Sequence, residues 1–288
     1  MAEYARIINR TTLQTPIHQY VHTDTGRQVI LIGVAPFGEA GYYRNLRDLV
    51  GQLELDGLSV HCEGGSDLAL RTADPPGLSS HESTLWSELR RLKAMREAAI
   101  AALGWTGQVQ GLSYPLSWWF VDMPFIEILR AVGAEALLRE ARLLAKPLVC
   151  YQDQPARALA WFRLTAVVDL RRMAKGDPAR GAQGDELIVE QRNDVALSGV
   201  EATDHDMVLI WSPEHLPGLD TELRARGFHR IAVDWYDVMQ LPTTESAIWD
   251  AIRSTRRATH RQLTSPGAAM SPLRRAIRPA HNAAVPPC

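Results

Sequence analysis

Histidines and carboxylates stand at two places where apolar runs of this chain give way to loops. His61 and Glu63 lie two residues apart in Leu58-Ser59-Val60-His61-Cys62-Glu63-Gly64. Side chains alternate along a strand, so both project from one side. Glu39 closes the loop Gly33-Val34-Ala35-Pro36-Phe37-Gly38-Glu39, and Glu214 and His215 stand in Ser212-Pro213-Glu214-His215-Leu216-Pro217-Gly218. A histidine near carboxylates exchanges protons near neutral pH. Two carboxylates in unlike surroundings divide the acid and base roles. Other chemistries lack their motifs: there is no Gly-x-Ser-x-Gly nucleophile elbow and no phosphate-cradling glycine loop at a strand-to-helix turn.

Two strand–loop–helix–strand units position these residues. In the first, Val29-Ile30-Leu31-Ile32-Gly33 reads as a buried strand. Leu46, Leu49, Val50 and Leu53 supply one face of a helix, and the run ending at Glu63 closes the unit. In the second, Met207-Val208-Leu209-Ile210-Trp211 is the strand and Leu216, Leu219 and Leu223 the helix face. Gly227 is the helix stop, and Ile231-Ala232-Val233-Asp234-Trp235 is the closing strand. Ligands of open α/β sheets bind beyond the carboxyl ends of strands. The repetition predicts two half-sites facing one cleft.

The remainder reads as connecting structure. Ile17 to His22 and Gln28 to Ile32 flank Thr23-Asp24-Thr25-Gly26, a hairpin signal that places His18 and His22 on an edge strand facing water. Ser80 or Ser83 caps a helix running to Leu103, after the loop Asp74 to Ser80. Gly107 to Pro124 is aromatic and broken by proline, and reads as a loop over a cleft. Its Tyr114 and Trp118 either line a pocket or plug a gap between helices. Helices are expected over Met123–Ala145 and Ala156–Lys175, from Asp185 after a polar break at Gly176–Gly184, and from Thr243 to Arg261. The domain reading is one α/β domain over residues 1–263 and a flexible Pro/Ala/Arg-rich tail over 264–288.

Bulk composition narrows the class. Hydrophobic residues at 46% and charged residues at 22% are ordinary for a globular chain. A net charge of −2 leaves no electrostatic footprint for nucleic acid or an anionic membrane. Cys62, Cys150 and Cys288 are too few and scattered for a disulfide framework or zinc ribbon, and read as free thiols. The N-terminus lacks a signal-peptide pattern, and no apolar run reaches the length of a membrane span. A cytoplasmic protein is the expectation.

The order of these motifs resembles the TraB/PrgY/GumN family, related to the Tiki metalloproteases and the erythromycin-esterase-like proteins. That family opens with a strand and Gly-x-x-His, then a strand ending in Glu-Gly. Here these resemble Gly33-Val34-Ala35-Pro36 and Glu63-Gly64. The family's middle Gln, Tyr, Trp and Asp resemble Gln110, Tyr114, Trp118 and Asp122, and its helical Arg-Asn resembles Arg192-Asn193. Its second Gly-x-x-His before Pro-Gly resembles Ser212 to Gly218, with His215 in the histidine's place. The resemblance runs from about Gln28 to Leu241. It implies a divalent metal held by the two histidines and the glutamate. Here Pro36 stands for the first histidine, and its ring has no donor. His61 is the residue within reach of replacing it on the strand that carries Glu63.

These features converge on an α/β fold, a central mixed sheet built from the two units and flanked by helices. They predict a metal-free, cofactor-free acid–base enzyme for a small organic substrate, acting by dehydration, proton abstraction beside a carbonyl, or conjugate addition and cyclisation. A specialised metabolite suits that chemistry. His215 serves as base or acid, Glu63 as its partner or second donor, and Arg192 as an anion clamp, with Asp122 and Glu39 completing the catalytic set. His61, Tyr114, Trp118, Glu214 and Asn193 line the substrate. Two alternatives stand beside this reading. One is a metal-dependent hydrolase using His61, Glu63 and His215. The other is a non-catalytic descendant in which Arg192 and Glu63 form a structural ion pair and His215 caps a helix. No nucleic acid or membrane partner is expected, and a homodimer is left open.

Overall fold

A computed structural model describes residues 4–64, 77–176 and 185–264. Asp74–Pro76 of the Asp74–Ser80 loop, most of the Gly176–Gly184 break and the tail beyond Thr264 lie outside the described residues. The chain begins with β1 (Arg6–Ile8), β2 (Thr12–His22) and β3 (Gln28–Gly33). Then come β4 (Phe37–Gly38), α1 (Ala40–Leu55) and β5 (Ser59–Cys62). The middle holds α2 (Ser80–Ala102), β6 (Thr106–Gly107), α3 (Gln108–Leu112) and β7 (Trp119–Phe120). A helical stretch follows: α4 (Phe125–Val132), α5 (Ala134–Cys150), α6 (Pro155–Met173) and α7 (Asp185–Glu201). The chain continues through β8 (Met207–Trp211), α8 (Leu216–Ala225), β9 (Phe228–Gln240) and α9 (Thr244–Thr264).

The central sheet is mixed and has seven strands, as the strand units predict. Its order is β1-β2-β3-β8-β5-β7, with β9 also paired to β2. β3, β8, β5 and β7 run parallel, whereas β2 is antiparallel to both β3 and β9. Successive side chains of β3 divide between two cores. Ile30 and Ile32 pack with α1, α2, α5 and α6, while Val29 and Leu31 pack with α7 and α8. Among the described residues no helix is long and apolar enough to cross a membrane.

Several expectations need correction. The two units do not face each other across a cleft: β8 of the second inserts between β3 and β5 of the first, and β9 lies beyond β2. Hydrogen bonding along both edges of β8 drives this interleaving, with Val208 opposite Ile30 on one side and Val60 on the other. His18 does not face water. It is fully buried between Tyr4 and Tyr20, because β2 is flanked by β3 and β9 and is not an edge. The helix expected over Met123–Ala145 is two helices, divided at Gly133 with φ 87°. The cap of α2 is Ser79, whose hydroxyl accepts from the Glu82 N–H at 3.2 Å while Glu82 accepts from the Ser79 N–H at 2.7 Å. The Gly107–Pro124 stretch is not loop throughout, since it contains α3 and β7. Cys62 is a buried free thiol.

Candidate functional site

The carboxyl ends of β5 and β8 meet the first turns of α7 at one charged cluster. Arg192 on α7 is its centre and is buried. Its guanidinium forks onto Asp122, Nε to Oδ1 at 2.9 Å and Nη2 to Oδ2 at 2.8 Å. Nη2 also donates to Glu63 Oε1 at 2.6 Å, and Nη1 donates to His215 Nε2 at 3.1 Å. Planar arginine suits such a multi-pronged hold on carboxylates. The Trp211 ring lies 5.7 Å from the guanidinium carbon and edge-on to His215.

Each partner is fixed in turn. Glu63 Oε2 accepts the Ser212 N–H at 2.8 Å, so the loop after β8 holds a residue of the loop after β5. Asp122 accepts the N–H groups of Met123 at 2.7 Å and Gly64 at 3.3 Å. Phe120 lies against Gly64, where a Cβ would overlap its ring. His215 stands just before α8, but its side chain makes no cap bond. Its Nδ1 meets Asn193 Oδ1 at 2.8 Å, and Asn193 Nδ2 donates to the His215 carbonyl at 3.4 Å. Arginine can only donate, so Nε2 carries the lone pair and Nδ1 carries the proton. Gly218 makes room for this arrangement, since a Cβ there would overlap the Asn193 amide.

Burial sets the protonation states. It pushes the His215 pKa down to about 4, and Arg192 reinforces that shift against the opposing charges of Glu63 and Asp122. The imidazole is therefore neutral at pH 7. Burial also works against the charge of Arg192, but the bonds and charges of Asp122 and Glu63 prevail and raise its pKa. Side-chain exposure is 15% for Glu63, 10% for Arg192, 2% for Asp122 and 0% for His215. Glu63 is thus the most accessible member.

The structure brings together Glu63, Asp122, Arg192, Asn193 and His215, and holds the other candidates differently. Glu39 begins α1, and its Oε1 accepts the Gln240 N–H at 3.0 Å on β9. Glu214 is exposed in the loop after β8, 3.5 Å from the Ser212 hydroxyl. His61 shares the Glu63 side of β5 but lies against Gly199, about two turns along α7 from Arg192. Burial, then Arg27, lowers its pKa. Trp118 is buried and donates through Nε1 to Glu54 at 3.1 Å, pinning its loop to α1. Tyr114 accepts from Gln108 Nε2 at 3.0 Å and packs against Trp118 and Phe120. Sequence reasoning missed the Ser212 N–H and the Trp211 ring. A backbone donor leaves no residue-type signature, and Trp211 reads as one more apolar strand residue.

The residues present do not fit the metal that the family resemblance implies. Pro36 offers no donor. Both nitrogens of His215 and both oxygens of Glu63 are engaged, and the Arg192 guanidinium donates to both residues. Among the described residues no group of three His, Cys, Asp or Glu could hold a metal ion. Comparison with family models, curated proteins and solved structures returned no match.

Proposed function

We propose that this protein is an acid–base enzyme acting on a small organic substrate, with Glu63 as the proton-transferring group. One observation carries the reading: the most accessible carboxylate of a buried charge cluster is held at both oxygens, by Arg192 and by the Ser212 N–H. A carboxylate so oriented at the carboxyl ends of parallel strands suits proton abstraction beside a carbonyl, dehydration or conjugate addition. Four of the five N–H groups of Arg192 are used by Asp122, Glu63 and His215. The fifth, on Nη1, suits a developing oxyanion. His215 and Asp122 then act as positioning residues that orient the guanidinium.

The test is deuterium uptake from D2O into a panel of small ketones, β-keto acids and unsaturated acids, followed by mass spectrometry. Exchange catalysed by the parent protein and reduced about 100-fold or more in Glu63→Gln supports the reading. Exchange no faster than with Glu63→Gln across the panel overturns it. The burial of His215 and Asp122 favours a second reading, in which the cluster only ties α7 to the loops after β5 and β8. On that reading Glu63→Gln changes stability and nothing else.

A further inference from the structure

A cavity of about 230 Å³ lies between α2 and α5, bordered by the short β4–β6 ribbon and the start of α3. Its lining is mainly apolar: Leu89 and Ile100 from α2, Leu137 and Leu144 from α5, and the rings of Phe37 and Phe125. Most of these residues belong to the core on the α1 and α2 face of the sheet. Trp211, whose ring lies 5.7 Å from the Arg192 guanidinium carbon, belongs to the other core. The cavity is therefore a different site from the charged cluster. Lys93, Arg96 and Glu97 of α2 and Glu140 of α5 also border it, and each already has a partner within the protein. They leave no charge waiting for a ligand.

Gly107 keeps part of this space clear. It borders the cavity and stands opposite Phe37 in the β4–β6 pair, so a side chain there would project on the same side as the Phe37 ring. Its φ of −76° and ψ of 152° are extended backbone that any residue adopts, and a Cβ built on it meets no atom within 4 Å. Gly64, Gly111 and Gly218, by contrast, have no room for a Cβ. Neither backbone nor crowding demands glycine at position 107, and a glycine costs more chain entropy on folding than any other residue. What its missing side chain does is leave room beside Phe37, whose ring stacks on Trp105 at 5.3 Å.

The lining sets the ligand class. A charged ligand would lose its hydration and compete with the partners already on the walls. An uncharged apolar one disturbs none of them and takes hydrocarbon out of water. An apolar cavity of about 150 Å³ holds one benzene ring. At about 230 Å³ this one suits a fused bicycle. We propose that the cavity binds a small uncharged aromatic bicycle, packed against Phe37 in the room that Gly107 leaves and held between α2 and α5. The inference is independent of the acid–base reading, because its readout is binding and not turnover.

Isothermal titration of the full chain with indole, benzoate and benzylammonium, three molecules of comparable size, tests it. Indole should bind with a Kd of about 1 mM or tighter, and at least about tenfold more tightly than either charged molecule. Gly107→Leu fills the room beside Phe37 without a clash at Cβ. It should weaken indole binding at least about tenfold with an unchanged circular dichroism spectrum. Should that variant not fold, amide NMR of the parent protein decides: indole should shift the Gly107 and Val109 signals and leave those of β8 in place. Absence of indole binding at about 10 mM, equal affinity for a charged molecule, or undiminished binding by a folded Gly107→Leu protein overturns the proposal. So do unmoved Gly107 and Val109 signals where Gly107→Leu is unfolded.

Discussion

Protonating His215 should cost this protein much of its stability. In the folded chain its pKa is about 4, against 6.5 for an unperturbed histidine. The unfolded chain therefore takes up this proton first as pH falls. The stabilisation is complete above pH 6.5, erodes between 6.5 and 4, and is gone below that window. At about 1.4 kcal/mol per pKa unit the whole window is worth on the order of 3 kcal/mol, of which about 2 kcal/mol is lost by pH 5. The main cause is burial, and geometry reinforces it: Nε2 accepts from Arg192 at 3.1 Å, so a proton there would face a fixed cation inside the protein. Carboxylates also titrate in this range, so a control is required. His215→Gln supplies an oxygen for Arg192 and an N–H for Asn193 without a titratable ring. Urea unfolding of both proteins at pH 7.5 and pH 5, followed by tryptophan fluorescence, gives the comparison. The parent should lose about 2 kcal/mol more than the variant. Parallel losses would show that His215 is not the buried neutral acceptor described above.

Three further outcomes follow from the same contacts. Arg192→Met leaves Asp122 and Glu63 without their cation and should cost about 3–5 kcal/mol in urea unfolding; Arg192→Lys should recover only part, because an ammonium cannot fork onto Asp122. Gly218→Ala should displace the Asn193 amide, cost about 1–3 kcal/mol, and raise the His215 pKa as read by NMR titration of its ring protons. Ser79→Ala removes the cap of α2 and should lower stability by about 1 kcal/mol, with the Glu63 exchange reaction unchanged.

The class of the fold was legible in local pattern. Runs such as Val29–Gly33 and Met207–Trp211, each followed by leucines at helical spacing, admit little besides strands and the helices beside them. Local chemistry also placed Gly26 and Gly227, both with positive φ. The order of the strands was not legible. Whether β8 pairs beside β3 and β5 or with its own sequence neighbour β9 depends on contacts between distant residues, which no periodicity records. For the same reason His18 read as an edge residue and proved central.

The site divides along the same line. Glu63 and His215 could be named from residue types, because charged and ionisable side chains beside strand ends are conspicuous in a sequence, whereas Asp122, Arg192 and Asn193 could be named only through the order of motifs in the family resemblance. Their roles could not. Tertiary structure decided that the Arg192 guanidinium would donate to both Glu63 and His215, and that Asn193 and Arg192 would occupy the two nitrogens of one imidazole. The physical reason is that composition specifies which groups can donate, accept or ionise, whereas the desolvation that holds His215 neutral exists only once β5, β8 and α7 enclose it.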